Sequence, residues 1–476
     1  HPPWLYYVHA VVVWGVCFVV RGFLFQAQAK FLKMRFEWLL GLPAPRATTI
    51  LFANIPRTYR SVSQVTVFLS GIFSDDAVQE VNFVKHTSAL ASMVQAQERA
   101  KELGRKAELR AEKDGVRPTH RVRPSLAEPS GKQVDSISHY AEERQALQGR
   151  IEAERKRIVT EGDSLSSGIN SPCAFVTFAT RHQAEMARDL RFSANCKLWQ
   201  VSSPPEPSAI RWQALLADPN RSALMKTFGY ALIVALYLFF TPLCALITSA
   251  ATTVDAGPLQ PVWGALAPTL GLRLMLMLLP TILLTTFRLL FALRSDPEAQ
   301  HHLQAWFFAF EFIFVILVTA VSTSLVDTIE QLAKQPMSVF DLLAAKMPDA
   351  THFYMNYLVL SWSTYSFMLL RVGNLVKFLV FKAALYTEEE AFQKAEPESQ
   401  DSDGMGVRCT ELSISVCILL IFSTLSPLVA PIAAVSFALS RITFGYLVVF
   451  AETRKPDLGG EFWVTQLGHV QLGPAL

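Results

Sequence analysis

Residues 173–178, Cys-Ala-Phe-Val-Thr-Phe, combine β-branched, aromatic and small apolar side chains in a short run that predicts a strand. Further strand patterns lie at 48–56 (TTILFANIP), 78–84 (VQEVNFV) and 198–205 (LWQVSSPP). Helical patterns at 61–73 and 181–190 separate them and give the order β-α-β-β-α-β. This order is that of an RNA-recognition fold. The sequence therefore predicts an α/β RNA-recognition-like domain around residues 173–178.

A long insertion, about residues 87–164, separates the second and third predicted strands. Residues 95–115 and 140–157 have helical patterns in which acidic and basic residues alternate, and a loop containing Pro and Ser joins them. Such charge patterning is typical of solvated helices stabilised by pairs at i and i+4. We expect two charged helices in this insertion.

The composition of the whole chain is that of a membrane protein. Of its 476 residues, 51% are hydrophobic and 17% are charged. A helix needs about 20 apolar residues to cross a bilayer core of about 30 Å. Nearly uncharged runs of about that length or more lie at 4–20, 227–251, 266–291, 305–326, 352–370 and 412–450. The last run contains SPLVAP (426–431), whose two prolines predict a hairpin of two helices.

The sequence thus predicts a mainly α, polytopic membrane protein with seven crossings. Lys and Arg cluster after the first, third, fifth and last crossings, whereas the loop around Asp255 has none, so the positive-inside rule places residues 21–226 in the cytoplasm. We expect a first transmembrane helix (1–25), a cytoplasmic domain (26–226), a transmembrane bundle (227–450) and a cytoplasmic segment after the last helix (451–476).

RNA binding needs aromatic rings on the central strands of such a sheet. Here Cys173 and Leu51 occupy two of the stacking positions, which leaves Phe175 as the aromatic residue of the third strand. The net charge of +3 is small for this length. We therefore expect no nucleic-acid partner and interpret the sheet as a rigid adaptor.

No motif indicates an enzyme or a cofactor. The six cysteines form no CxxC pair, and neither paired catalytic carboxylates nor a Gly-rich phosphate loop occurs. His301 and His302 adjoin Asp296 and Glu298, but neighbouring histidines point apart on a helix. We expect no cofactor, no metal site and no catalytic residue.

The order of several motifs over nearly the whole chain resembles the OSCA family of hyperosmolality-gated, calcium-permeable channels, whose fold is related to that of anoctamin channels and lipid scramblases. The matching motifs are ILFANIP (50–56), AFVTF (174–178), AIRWQALL (209–216), MLLPTIL (277–283), PDATHFYMNY (348–357), SPLVAP (426–431) and GGEFW (459–463). This resemblance implies an anoctamin-like bundle of eleven helices. We expect this chain to be a fragment that lacks two helices at each end.

The resemblance also implies how the protein works. It implies a homodimer with one pore in each subunit, lined by the second to sixth crossings and opened by membrane tension. The partners implied are membrane lipids, permeant cations and a second copy of the chain, and the expected location is the plasma membrane. The cytoplasmic sheet with its inserted helices would join subunits and touch the bilayer.

Polar stripes at helical spacing are the candidates for a pathway, because charge facing lipid is costly. The stripes are Arg273, Thr281, Thr285 and Arg288 on the third crossing, Glu311, Thr319 and Ser322 on the fourth, and Tyr357, Ser361, Thr364, Met368 and Arg371 on the fifth. Arg273 either lines a cavity or snorkels to the outer headgroups. Glu311, the one acid expected inside a crossing, attracts cations if hydrated and is protonated if dry.

Two further features concern gating. Pro280 and Pro427 are hinge candidates, although prolines also serve static packing. In the fifth crossing, OSCA channels carry glycines and a carboxylate, whereas this chain has no acid between Asp349 and Glu388 and no glycine before Gly373. In this helix the chain therefore lacks the charge linked to the family's calcium preference and the glycines that form its usual hinge.

The leading hypothesis is a tension-gated, cation-permeable channel subunit. A phospholipid scramblase is the alternative, in which stripes bearing Arg273 and Arg371 hold lipid phosphates. A membrane-tethered RNA-binding protein ranks last.

Overall fold

The structure is a computed structural model of the chain. It describes residues 4–122, 132–162, 164, 168–252, 278–318, 338–383, 386–396, 404–423, 425–457 and 459–475. The chain forms two compact units. We call the first the bundle, comprising 1–41, 205–371 and 398–476, and the second the sheet unit, comprising 42–204 and 372–397.

The described helices and strands are numbered in chain order. The helices are α1 Trp4–Leu40, α2 Val62–Ser70, α3 Ser88–Asp114, α4 Ser136–Glu161, α5 Arg181–Asp189, α6 Trp212–Leu215, α7 Pro219–Thr252, α8 Leu278–Leu290, α9 Asp296–Glu311, α10 Ser338–Leu370, α11 Val372–Ala383, α12 Glu388–Ala395, α13 Met405–Phe422, α14 Val429–Tyr446 and α15 Glu461–Ala475. The strands are β1 Thr49–Ala53, β2 Val78–Lys85, β3 Thr119–Val122, β4 Lys132–Asp135, β5 Asn170–Phe178 and β6 Gln200–Ser202. Segments of π-helix, Phe312–Val318 and Leu447–Ala451, follow α9 and α14.

The sheet unit has the predicted β-α-β-β-α-β order around an antiparallel sheet whose strands lie in the order β2-β5-β1-β6. Phe175 of β5 pairs with Leu51 of β1 on one side and with Asn82 of β2 on the other. Local capping fixes where the two sheet helices begin. Ser61 Oγ accepts from the Gln64 N–H at 3.3 Å, and Thr180 with Gln183 forms a capping box at the start of α5.

The two faces of this sheet are both covered at its centre. On one face, apolar side chains of β1 and β5 such as Phe52 and Val176 share a core with residues of α2 and α5. On the other face, Leu51 is 0% exposed and Cys173 is 6% exposed. These are positions where an RNA-binding sheet presents open aromatic rings, and here they hold a buried aliphatic side chain and a buried thiol.

The insertion contains the two expected helices, α3 and α4, which pack together. Their buried side chains are small on α3 (Ala100, Ala107) and aliphatic on α4 (Leu147, Ile151, Ile158), so the charged residues remain at the surface. Between the helices, β3 and β4 form a two-stranded sheet that the sequence did not predict. Asp135 ends this sheet and caps α4, because its carboxylate accepts from the Ser138 N–H at 3.1 Å.

The bundle confirms the prediction of a mainly helical, membrane-spanning protein. Five described helices are long and apolar enough to cross a bilayer, at Ala10–Leu40, Pro219–Phe240, Thr351–Ala383, Met405–Phe422 and Val429–Ala451, and a shorter apolar helix lies at Leu278–Leu290. The predicted hairpin within 412–450 is present as α13 and α14. The expected third and fourth crossings are described only in part, because 253–277 and 319–337 lie outside the described residues.

Two ends of the bundle differ in extent from the sequence prediction. The first helix continues to Leu40, well past residue 25. Residues 451–476, expected as a segment after the last helix, contain α15. The end of α1 and the start of α15 pack together through stacked rings of Phe31 and Trp463, with centroids 5.5 Å apart, and Trp463 donates a hydrogen bond to Gln28. Arg35 binds the Asp457 carboxylate at 2.7 and 3.2 Å.

The bundle core consists mainly of aromatic and aliphatic side chains from α7 to α9 and from α10, α13 and α14. Phe310 is fully buried and packs edge-to-face on Phe240, with centroids 4.5 Å apart. By contrast, large apolar residues such as Val11, Phe239, Phe367 and Phe450 are more than half exposed. Exposed apolar belts of this kind are expected of helices whose outer faces meet lipid.

Candidate ion-permeation site in the bundle

Glu311, the acid singled out in the sequence, lies at the end of α9 and is 6% exposed. Ser295 caps the other end of α9 by accepting from the Glu298 N–H at 3.4 Å, and Pro297 occupies the first turn, where a missing N–H is tolerated. The helix therefore begins fifteen residues before Glu311 and carries this carboxylate deep into the bundle. Among the described residues, Glu311 Oε2 has no hydrogen-bond partner.

Directly after Glu311 the helix widens into the π segment Phe312–Val318. Tyr354 of α10, which is fully buried, places its hydroxyl 2.8 Å from the Val315 carbonyl oxygen and 2.9 Å from that of Ile316. Short π segments leave carbonyl groups without regular helical partners and occur often at functional sites. Tyr354 therefore stabilises an irregular stretch of backbone next to the buried acid.

Gly406 near the start of α13 allows this helix to approach α9 closely. Gly406 N–H donates to the Gln300 side chain at 3.2 Å, and a Cβ at Gly406 would overlap the Gln300 carbonyl oxygen. One turn further along both helices, Thr410 Oγ1 donates to the Gln304 carbonyl at 3.2 Å. Gln300 contacts Gly406 and Gln304 contacts Thr410, so the residue numbers of both helices increase in the same direction. The helices α9 and α13 are therefore parallel.

A buried ion pair joins the start of α13 to Glu452, the residue that follows the second π segment. Arg408 Nη2 lies 2.7 Å from Glu452 Oε1, with the two side chains 5% and 0% exposed, and Lys455 Nζ lies 3.2 Å from Glu452 Oε2. The Arg408 guanidinium also stacks over the Phe444 ring, 5.1 Å from its centroid. These contacts fix the backbone that follows the second π segment.

Of the third-crossing candidates that are described, the two threonines face outward and Arg288 is half-buried. Thr281 and Thr285 are both exposed, and Thr285 Oγ1 donates to the Thr281 carbonyl at 2.7 Å. Arg288 Nε lies 3.7 Å from Asp296 Oδ1. Arg273, together with Thr319 and Ser322 of the fourth crossing, lies outside the described residues. The structure therefore does not place the described residues of the third-crossing stripe next to Glu311.

The fifth-crossing candidates lie on a half-buried side of α10. Tyr357, Ser361, Thr364 and Met368 are all of intermediate exposure, and Ser361 Oγ donates to the Leu358 carbonyl at 2.6 Å. Arg371 ends the stripe at the break between α10 and α11, where its φ of 51° lies in the left-handed region, and its guanidinium donates to the Ala451 carbonyl at 3.3 Å. The break thus falls on a non-glycine residue, which costs about 1–3 kcal/mol of backbone strain.

The two hinge candidates have different environments. Pro280 is buried within the described part of the third crossing. Pro427 is exposed and lies in the turn between α13 and α14, outside both helices. It therefore separates two helices instead of bending one.

The charged residues Arg408, Glu411 and Glu452 of the bundle were not among the sequence candidates. The predicted sixth run started at Leu412, whereas α13 begins at Met405, so Arg408 and Glu411 fall within a crossing-length apolar helix. Glu311 is therefore not the one acid inside a crossing. Extending each apolar run by two turns toward its flanking charges is the sequence signal that finds these residues.

A separate charged cluster lies in the sheet unit, between α3 and the segment α11–α12. The Tyr386 hydroxyl donates to the Glu102 carboxylate, and Arg105 pairs with Glu390. The Tyr386 ring is also approached by the ammonium groups of Lys394 at 4.5 Å and Lys106 at 5.0 Å. The Tyr386 hydrogen bond, together with these two ammonium groups, holds the pKa of Glu102 below its ordinary value.

Metal-ligand geometry is not seen in the part of the chain that the structure describes, where no group of three or more His, Cys, Asp or Glu side chains is placed to hold an ion. His301, considered in the sequence, instead bonds Thr465 Oγ1 of α15 at 2.7 Å through Nε2. Its Nδ1 lies 3.5 Å from the Glu461 carboxylate.

A polytopic bundle of long apolar helices with an inserted sheet domain defines an integral membrane protein. Comparison with known families agrees. Residues 225–476 match the family model described as "Calcium-dependent channel, 7TM region, putative phosphate", and residues 47–214 match "Cytosolic domain of 10TM putative phosphate transporter". The first match covers more than half of the chain, so the chain belongs to this family, which confirms the resemblance to OSCA channels.

The individual relatives share about a quarter or less of their residues with this chain. The chain is 26% identical over 470 residues to "Uncharacterized protein RSN1" of Saccharomyces cerevisiae, covering 89% of this chain and 48% of the relative. It is 21% identical over 474 residues to "Hyperosmolality-gated Ca2+ permeable channel 1.5" of Arabidopsis thaliana, covering 95% of this chain and 60% of the relative. For channel 1.8 of the same plant the identity is 22% over 349 residues, 70% of this chain and 42% of the relative. The chain spans about half the length of these relatives.

Proposed function

We propose that this chain is part of a tension-gated, cation-permeable channel that passes calcium. The observation that carries the proposal is Glu311, a carboxylate 6% exposed inside the bundle. Ionisable groups at membrane depth are costly and are retained where they serve transport. A carboxylate attracts cations and repels anions, which favours cation over anion permeation.

The relatives supply the second support. Several of them are named hyperosmolality-gated Ca²⁺-permeable channels. The exposed apolar belt of the bundle gives membrane tension a large surface on which to act, because a change in packing of these helices changes their area in the bilayer. Tension gating, the homodimer and the plasma-membrane location are proposals that follow from the family resemblance.

Patch-clamp recording tests the proposal. The protein that the gene encodes is expressed in cells without endogenous stretch-activated current, and suction is applied to excised patches. We expect stretch-activated current whose reversal potential follows the cation gradient. Glu311→Gln is expected to shift the reversal potential in bi-ionic Ca²⁺/Na⁺ solutions, and Glu461→Gln, at an exposed acid of α15, serves as the matched control. Absence of current under stretch contradicts the proposal.

The arrangement of hydroxyl groups favours a second function, phospholipid scrambling. Thr281 and Thr285 on α8, and Ser363 and Ser366 on α10, are exposed among apolar neighbours. Polar side chains at the surface of a membrane helix offer a path for lipid headgroups. Proteoliposomes with a fluorescent lipid test this alternative, because dithionite quenches about half of the signal unless the protein moves inner-leaflet probe outward.

A further inference from the structure

A second acid, Glu411 of α13, lies near Glu311, and helix register shows how they are arranged. The α9–α13 contact aligns Gln300 with Gly406 and Gln304 with Thr410, so α13 advances in step with α9. Glu411 follows Thr410 directly, and Glu311 lies two turns beyond Gln304. Both helices run in the same direction, and along it Glu411 lies at an earlier level than Glu311.

The neighbouring helix α10 runs the opposite way and adds hydroxyl groups at the same depth. Tyr354 stacks on Phe422 of α13, with ring centroids 4.1 Å apart. Eleven residues further along α10 is Tyr365, and eleven residues back along α13 is Glu411. In this register Ser361 lies about one turn from Tyr365, on the side toward Glu311. The three helices thus place two carboxylates and two hydroxyls along one seam.

Electrostatic proximity agrees with this register. The Glu411 carboxylate interacts with both Glu311 and the Tyr365 hydroxyl, and Tyr365 hydrogen bonds to the Ser361 side chain. Within the described residues, the buried Glu311 Oε2 has no hydrogen-bond partner. A buried carboxyl oxygen left this way is stabilised by a proton or by a positive ligand.

We propose that Glu411 and Glu311 bind the permeating cation in succession, with Ser361 and Tyr365 supplying hydroxyl oxygens between them. This inference rests on the proposed channel function and names a second selectivity residue for it. Two carboxylates and two hydroxyls form an oxygen-only set, which is the ligand type that Ca²⁺ prefers. A divalent ion gains twice the Coulomb energy of a monovalent ion from each carboxylate. Two carboxylates offset more of the larger dehydration cost of Ca²⁺ than one does, so the pair raises the preference for Ca²⁺ over Na⁺.

The first experiment measures the Ca²⁺/Na⁺ permeability ratio in stretched patches. We expect Glu411→Gln and Glu311→Gln each to lower this ratio about tenfold or more, because each removes one of the two charges that a divalent ion meets. Glu411→Asp keeps the charge and is expected to retain most of the ratio. Glu388→Gln, at an exposed acid of α12 with a 75% exposed side chain, is the control. An unchanged ratio in Glu411→Gln overturns the inference.

The second experiment detects ion binding without any current. Tb³⁺ is titrated into purified protein in nanodiscs, and its emission is excited through nearby tyrosine. We expect saturable emission that Ca²⁺ displaces and that Glu411→Gln, Glu311→Gln and Tyr365→Phe each reduce, with folding checked by size exclusion. Such binding without stretch-activated current supports the site and contradicts the channel proposal. Equal Tb³⁺ emission from the wild type and the Glu311→Gln/Glu411→Gln variant refutes the site.

Discussion

The buried ion pair between Arg408 and Glu452 makes a quantitative prediction about stability. The two side chains are 5% and 0% exposed, and their charged atoms are 2.7 Å apart. Replacing Arg408 by Met preserves most of the side-chain length but removes the positive charge. The Glu452 carboxylate then stays buried with Lys455, whose ammonium is 3.2 Å away and whose side chain is 22% exposed.

Removing one partner of a buried ion pair costs about 3–5 kcal/mol, because an uncompensated charge stays buried. Since Lys455 remains in place, we expect the lower end, about 3 kcal/mol. At about 1.4 kcal/mol per factor of ten, this raises the opening equilibrium of the local structure by about 150-fold. The segment most affected is the π turn Leu447–Ala451, which leads directly into Glu452.

Hydrogen exchange followed by mass spectrometry measures this effect. Peptides covering 447–457 are compared between the wild type and Arg408→Met in nanodiscs, and protection is expected to fall by about two orders of magnitude. Lys455→Met, which leaves the inner pair intact, should change protection less than about fivefold. Arg408→Met/Glu452→Gln should recover much of the loss, since the buried charge is gone. If this double variant is as unprotected as Arg408→Met, the ion pair is not what holds the segment.

Three further predictions concern packing and the charged cluster of the sheet unit. Tyr386→Phe removes the hydrogen bond to Glu102 and should increase hydrogen exchange in α12, whereas Phe392→Leu, at an exposed ring of the same helix, should not. The pKa of Glu102 in the folded protein is lowered from 4.5, so its contribution to stability is present above about pH 4.5 and is lost as the pH falls through the folded-state pKa. Hydrogen-exchange protection of α12, corrected for intrinsic exchange, should therefore fall over that pH range in the wild type. It should not do so in Glu102→Gln. Gly406→Ala should destabilise the bundle by about 1–3 kcal/mol because the new Cβ meets the Gln300 carbonyl. Gly445→Ala, whose new Cβ meets no atom within 4 Å, should be neutral or stabilising by up to about 1 kcal/mol. Thermal unfolding followed by tryptophan fluorescence distinguishes the two variants, and equal melting temperatures would contradict the close approach of α9 and α13.

Much of the fold follows from local patterns. Alternating apolar residues predicted the four strands of the sheet, and the helical patterns between them predicted α2 and α5, because side-chain periodicity reports which face of an element is buried. Apolar length predicted the long helices of the bundle, because a helix needs about 20 apolar residues to cross the bilayer core. The β3–β4 sheet escaped prediction because its strands are four residues each and carry polar side chains.

The candidate site was predictable only in part. Glu311 stands out in the sequence because no other acid interrupts the apolar run around it. Arg408, Glu411 and Glu452 flank apolar runs, where charged residues are ordinary, so their burial depends on how far each helix extends and on what packs around it. The π segments also have no sequence signal that we recognise.

The sequence by itself determined the class of protein: a membrane bundle with an inserted RNA-recognition-like sheet and a family resemblance to OSCA channels. Hydropathy and periodicity are properties of single segments, so they require no knowledge of neighbours. Only the tertiary structure decided which charges meet, because helix register sets them: Gly406 brings α13 against α9 and α10 runs antiparallel to α13. Those contacts place Glu411 near Glu311 and pair Arg408 with Glu452 across more than forty residues of chain.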